Sequence, residues 1–178
     1  MNKNKRLVFI SIYCALALVL DYIKTFIPFL NMPTGGSINI ALIPIVVCSF
    51  HLGYFDGMVS GFLWWMISSI LGLNPYYLSF LQYICDYVLP SIVVGLSSLF
   101  YKKKNIFEIE IGIIFMMIIR TLFLILSGAI FWPGDAASNS IAAWSTSVVY
   151  NLPYSIGTLI MLLIVVPFIL KSIKKIVL

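Results

Sequence analysis

The run of residues 78–100 carries one charged side chain, Asp86, in an otherwise apolar stretch. About 20 such residues suffice to cross the hydrocarbon core of a bilayer, and an acid at that depth is costly enough to mark a functional site. Stretches of this kind recur along the chain. Hydropathy broken at polar and Gly/Pro punctuation predicts six spans, at 7–28, 38–52, 58–73, 78–100, 111–131 and 142–170. The expected fold is an all-α integral membrane protein, a compact bundle of six transmembrane helices forming a single domain over 1–178. The second and third spans are short and joined by 53–57, so each is expected to cross by packing inside the bundle or tilting little.

Composition agrees. The 178 residues are 62% hydrophobic and 10% charged, against roughly 25% charged in a typical soluble domain. Little chain remains for an aqueous domain. A net charge of +5 in a soluble protein would suggest nucleic acid, but here the basic residues flank apolar runs and set orientation instead. Lys3, Lys5 and Arg6 precede the first span, Lys102, Lys103 and Lys104 follow the fourth, and Lys171, Lys174 and Lys175 follow the sixth. Six spans put all three clusters on one side, and the positive-inside rule makes it cytoplasmic, with both termini there. A multi-pass protein of the bacterial plasma membrane is expected, with lipid as its surroundings and no nucleic-acid partner. The first span runs past the length of a signal-peptide core and has no small-residue cleavage site before Asp21 and Lys24, so it is expected to be retained.

Cys14, Cys48 and Cys85 lie in apolar segments without metal-ligand spacing and read as small hydrophobes. His51 stands near a turn with no second ligand. No nucleophile and base set, Gly-rich phosphate loop or paired metal ligands occur. No enzyme activity, cofactor or metal is expected, and any ATP-driven process needs an ATPase on another chain.

The informative polar groups are inside the spans. Ser79, Gln82, Asp86 and Pro90 recur at three- and four-residue spacing on one helical face, flanked by Tyr83 and Tyr87. That face is expected to look into the bundle or a watery cavity. Arg120, midway through the fifth span, is a candidate ion-pair partner for Asp86, and a purely structural protein built on that pair is one reading. An autonomous proton-coupled carrier is another. The sixth span offers Ser147, Tyr150, Asn151 and Tyr154 around Pro153, and Trp132 closes the fifth. An amide with flat aromatic faces suits a planar heteroaromatic ligand, including a cationic one. The connections 31–37, 74–77 and 132–140, rich in Asn, Pro, Gly and Trp, are expected to face outward. They read either as a lid or as ordinary capping turns. Ser11 and Ala15 form a small-xxx-small patch that admits a close neighbouring helix, and Asp21 can pair with Lys24.

These residues, in order, resemble the substrate-binding S components of energy-coupling-factor vitamin transporters, most closely the thiamine-specific family. The resemblance rests on 33–37 running into Ile43-Pro44, Gln82 before Asp86-Tyr87 and Gly95, Ser127-Gly128 before Phe131-Trp132, and Ser147 before Asn151. It implies a capture protein that binds thiamine or a close analogue from outside. Such a protein joins a transmembrane T component and two cytoplasmic ATPases, and reorients to release its vitamin. It also implies an acidic ligand-holding residue at Asp86 with Tyr87 beside it, a stacking tryptophan at Trp132, an amide at Asn151, and a T-component contact at Ser11 and Ala15. The chain departs from the family pattern at Leu124, where a pocket histidine is usual, and at Thr146, where a tyrosine is. The loop between Phe29 and Phe50 also lacks a tryptophan found in some members. The implied ligand is thus thiamine held through Tyr150, Tyr154 or Tyr83 instead, or a relative such as a hydroxymethylpyrimidine.

Overall fold

The computed structural model describes residues 2–33, 35–73, 76–102 and 105–177, without the side chains of 174–177. Thr34, Asn74, Pro75, Lys103, Lys104 and the side chains of Lys174 and Lys175, all invoked above, lie outside the described residues. The described chain is all-helical apart from its connections: α1 Lys3–Lys24, α2 Leu42–Leu52, α3 Tyr54–Ile70, α4 Phe80–Ser98, α5 Ile106–Phe131 and α6 Ile141–Val177. Helices α1, α4, α5 and α6 are long and apolar enough to cross a membrane. Large apolar side chains such as Phe107, Leu122, Ile160 and Phe168 lie exposed on the outside of the bundle, as a lipid-facing surface requires.

Several helices begin earlier than the hydropathy predicts, because charged residues at a helix start depress hydropathy without opposing helix. α1 takes in Lys3 and Lys5, and α5 takes in Glu108 and Glu110, its first turn capped by Asn105 Oδ1 accepting from the Glu108 amide at 2.8 Å. The linker expected at 53–57 shrinks to Gly53, and Asp56 becomes part of the first turn of α3. There it pairs with Arg6 of α1.

The second span differs most. Its helix starts at Leu42 rather than at 38, and its 11 residues rise only about 16 Å, half of a ~30 Å hydrocarbon core. Eight of those residues are buried, so α2 is encased by its neighbours and needs no apolar length of its own. Residues 38–41, which lead into it, are irregular backbone that finds partners in protein. The Ala41 amide donates to Asn39 Oδ1 at 3.1 Å, and the Asn39 amide to Thr158 Oγ1 of α6 at 3.0 Å.

Contacts sort to the two ends of the bundle. At one end Arg6 of α1 meets Asp56, Tyr13 bonds His51 at 2.9 Å, and Ser49 of α2 donates to the Gly95 carbonyl at 2.5 Å while its oxygen is hydrogen-bonded with Ser98 Oγ at 2.8 Å. At the other, Asp21 accepts from Lys24 at 2.7 Å and from Ser68 of α3 at 3.4 Å, and α4, α5 and α6 bring their polar residues together.

The crossing of α3 and α4 is set by backbone contact at Gly57 and Gly95. A Cβ on Gly95 would stand 2.5 Å from the Gly57 carbonyl carbon and 2.6 Å from Met58 Cα, so neither helix has room for a side chain there. Gly95→Val should lower the stability of the detergent-solubilised protein by about 1–3 kcal/mol, an overpacking effect that thermal unfolding would measure. An unchanged midpoint would mean that the two backbones do not touch.

Candidate functional site

The site begins with a break in α4. Pro90 has no N–H, and its ring opposes the carbonyl four residues earlier, that of Asp86. The helix widens accordingly into a π turn over Ile84–Val88, with the Leu89 amide reaching back five residues to the Ile84 carbonyl. Such turns re-aim side chains and gather at functional sites. Asp86 sits in this turn.

Its carboxylate is held from two helices. Gln82 Nε2 donates to Asp86 Oδ2 at 2.5 Å and Trp132 Nε1, from the end of α5, to the same oxygen at 2.9 Å. Gln82 is fully buried and fixed in turn: its side-chain oxygen accepts from the Leu78 amide at 3.0 Å, while its own amide donates to the capping Ser79 hydroxyl at 3.2 Å. The stripe predicted along α4 is therefore a relay of hydrogen bonds ending on the acid.

Asp86 faces a cavity of about 510 Å³ between α4, α5 and α6, within the range that holds small ligands. Tyr76, Tyr87, Trp132, Tyr150 and Tyr154 give it aromatic walls, and Gly128, Ser147 and Asn151 form the seam where α5 meets α6. In that seam Ser147 Oγ donates to the Ile125 carbonyl at 2.7 Å. Asn151 Nδ2 donates to the Ser147 carbonyl at 2.9 Å, and its oxygen accepts from the Tyr154 hydroxyl. Gly35 and Gly36, in the connection before α2, lie against the tyrosines. The loop folds back through an Asn31–Ser37 bridge, and Gly35 and Gly36, at φ 97° and 76°, bring bare backbone against the rings of Tyr150 and Tyr154.

Of the residues singled out in the sequence, Asp86, Tyr87, Trp132, Ser147, Tyr150, Asn151 and Tyr154 line this cavity. Gln82 stands behind Asp86. Tyr83 also lies outside the lining, its ring 4.9 Å from Tyr87 and 5.7 Å from Tyr77. Leu124 and Thr146, the two departures from the family pattern, both face the cavity. Arg120 is buried beneath it, one helical turn from Leu124, with its Nε unpartnered. Among the described residues the carboxylate–cation contacts are Arg6–Asp56 and Lys24–Asp21, so Asp86 and Arg120 make no ion pair. Ser11 and Ala15 are on the exposed side of α1, and Ser11 Oγ donates to the Leu7 carbonyl at 3.0 Å. Sequence reasoning did not single out Tyr76, whose ring packs 6.3 Å from Trp132, nor the wall made by Gly128. An aromatic residue in an outward connection was the available signal for the first. For the second it was the Ser-Gly pair a turn before Trp132.

A helical bundle with a lipid-facing exterior and one carboxylate presented among aromatic rings defines a multi-pass membrane protein of the transporter class. The chain matches the family described as thiamine transporter protein (Thia_YuaJ) over residues 7–178. It is 30% identical over 195 residues to the thiamine transporter ThiT of Bacillus subtilis (strain 168), covering 98% of this chain and 100% of that one. A solved structure of ThiT from Listeria monocytogenes has the same fold, with a TM-score of 0.80 at 26% identity over 98% of each chain. The chain belongs to the thiamine transporter protein family, in agreement with its resemblance to the thiamine-specific S components.

The relay behind Asp86 makes a measurable prediction. Gln82→Leu keeps the volume but removes both the donor to Asp86 and the acceptor for the Leu78 amide. Stability should fall by about 1–3 kcal/mol, read as a lower thermal midpoint. A midpoint equal to wild type would show that the acid is held without Gln82.

Proposed function

We propose that this protein captures thiamine or a close analogue in the cavity at Asp86 and passes it inward as the S component of an energy-coupling-factor importer. The observation that carries the reading is the Asp86 carboxylate, oriented by Gln82 and Trp132 toward a cavity walled by aromatic rings. Thiamine joins an aminopyrimidine to a cationic thiazolium. A carboxylate favours the cation or accepts from the amine, and indole and phenol faces stack on both rings and attract the positive one. The mechanism is binding followed by reorientation, with no covalent step.

The basic residues Lys3, Lys5, Arg6, Lys102 and Lys171 support an orientation with that end of the bundle cytoplasmic and the cavity outward. Entry is then past loop 31–37. The sequence holds no phosphate-binding loop, so energy comes from two ATPases acting through a T component, which the exposed Ser11 and Ala15 of α1 are placed to contact. A pyrimidine precursor is the second reading. It is favoured by Leu124, an apolar wall residue that makes no hydrogen bond to a thiazolium-bearing ligand.

Titration of the purified protein with thiamine, followed by tryptophan fluorescence and calorimetry, tests the assignment, and no response at micromolar vitamin would overturn it. Asp86→Asn should weaken binding by about 10- to 100-fold, as loss of a charged hydrogen bond implies, with a smaller effect on the thermal midpoint. An effect on the midpoint alone would make Asp86 a scaffold residue. Ser11→Leu with Ala15→Leu should leave vitamin binding intact while abolishing copurification with the T component.

A further inference from the structure

Among the described residues one non-glycine residue has a positive φ, Asn139, at 60°. A left-handed conformation at such a residue is a strain that persists only where surrounding structure requires it. Here the requirement is at the end of α5. Helical bonding would have the Ala129 carbonyl accept from residue 133, but that residue is a proline with no N–H. The carbonyl is left without its helical donor in a fully buried residue, where an unmet acceptor is expensive. The Asn139 amide fills the vacancy, donating to Ala129 O at 3.0 Å, and Ser138 Oγ donates to the next carbonyl, Ile130 O, at 2.7 Å. Beyond the turn, the Asn139 side chain accepts from Trp144 Nε1 at 2.8 Å, which ties the reversal to the first turn of α6.

Trp132 is the residue between this capped helix end and Pro133. Its own amide makes the last helical bond, to the Gly128 carbonyl at 3.1 Å, and its indole reaches Asp86. Trp132 is 41% exposed and its ring contact is the edge-on ring of Tyr76, so its aim depends also on where the backbone of α5 stops.

We propose that Asn139 is a positioning residue for ligand binding: by capping the proline-orphaned carbonyl of Ala129 in a left-handed turn, it fixes Trp132 on Asp86 without touching the cavity. The proposal rests on the reading of the Asp86 cavity as the vitamin site.

The test separates backbone from side chain. Asn139→Gly keeps access to the left-handed turn and the amide donor and loses only the Trp144 bond, so thiamine affinity should stay within about threefold of wild type. Asn139→Ala disfavours the turn and should weaken binding about five- to tenfold. In a Trp132→Ala background the alanine substitution should have no further effect, because the two act through one contact. Equal losses for glycine and alanine, or an alanine loss that persists without Trp132, would overturn the proposal. If Asn139→Ala does not fold, Ser138→Ala, which removes the neighbouring cap bond, takes its place, with the same non-additivity expected. A readout independent of vitamin is the indole N–H resonance of Trp132 in 15N-labelled protein, assigned by Trp132→Phe. It should shift in Asn139→Ala and not in Asn139→Gly. That shift in a protein that binds no thiamine would retain the positioning role while removing the vitamin assignment, and its absence would remove the positioning role alone.

Discussion

In a bilayer no water reaches the chain to meet a polar group that the fold leaves unpaired, and the structure is organised by that constraint. It appears at two prolines with two solutions. Pro90 removes a donor from α4, and the helix widens into a π turn that places Asp86. Pro133 removes a donor at the end of α5, and residues 138 and 139 return to supply it. Pro153, inside α6, stands among the residues that line the cavity. The π turn of α4 and the proline-ended close of α5 both fall at the cavity, whereas the tighter turn at Val94–Ser98 of α4 and Pro167 of α6 lie away from it.

The buried acids follow the same constraint. Asp56 and Asp21 are both nearly buried on the α1–α3 seam, one paired with Arg6 and the other with Lys24 and Ser68. Each is closed by a cation or hydroxyl from its own surroundings. Asp86 is held by neutral donors, which orient a carboxylate without cancelling its charge. That contrast separates the acid at the cavity from the two that tie helices together.

Much of the lining of the candidate cavity was legible in the sequence, because a charge, an amide or an indole in an apolar run has few reasons to be there. Asp86, Trp132 and Asn151 stand out on that ground alone, and helical spacing links Gln82 to Asp86. What was not legible is what depends on the third dimension. Asp56 fell in a stretch that read as a linker, and only the packing of α1 against α3 shows that Arg6 reaches it. Arg120 read as the natural partner of Asp86, since both are near mid-span, but Asp86 is held at Trp132, at the end of α5, and Arg120 stands 12 residues earlier on that helix. Hydropathy starts α1 at 7 and α5 at 111 rather than at Lys3 and Ile106, because it measures preference for lipid, whereas helix propensity and capping continue past the lipid boundary. Asn139 gave no sign, since its role arises from a carbonyl ten residues earlier.

The encasement of α2 bears on how the protein is made. A segment about half as long as a membrane is thick cannot be handed to lipid as an independent span, and its entry is sealed by the Asn39 amide on Thr158, 119 residues further along. The ribosome delivers that partner only after α3, α4 and α5 have been made. Until then the Asn39 amide at the mouth of α2 is without this partner. The surroundings of the second helix are therefore completed only when the sixth is made.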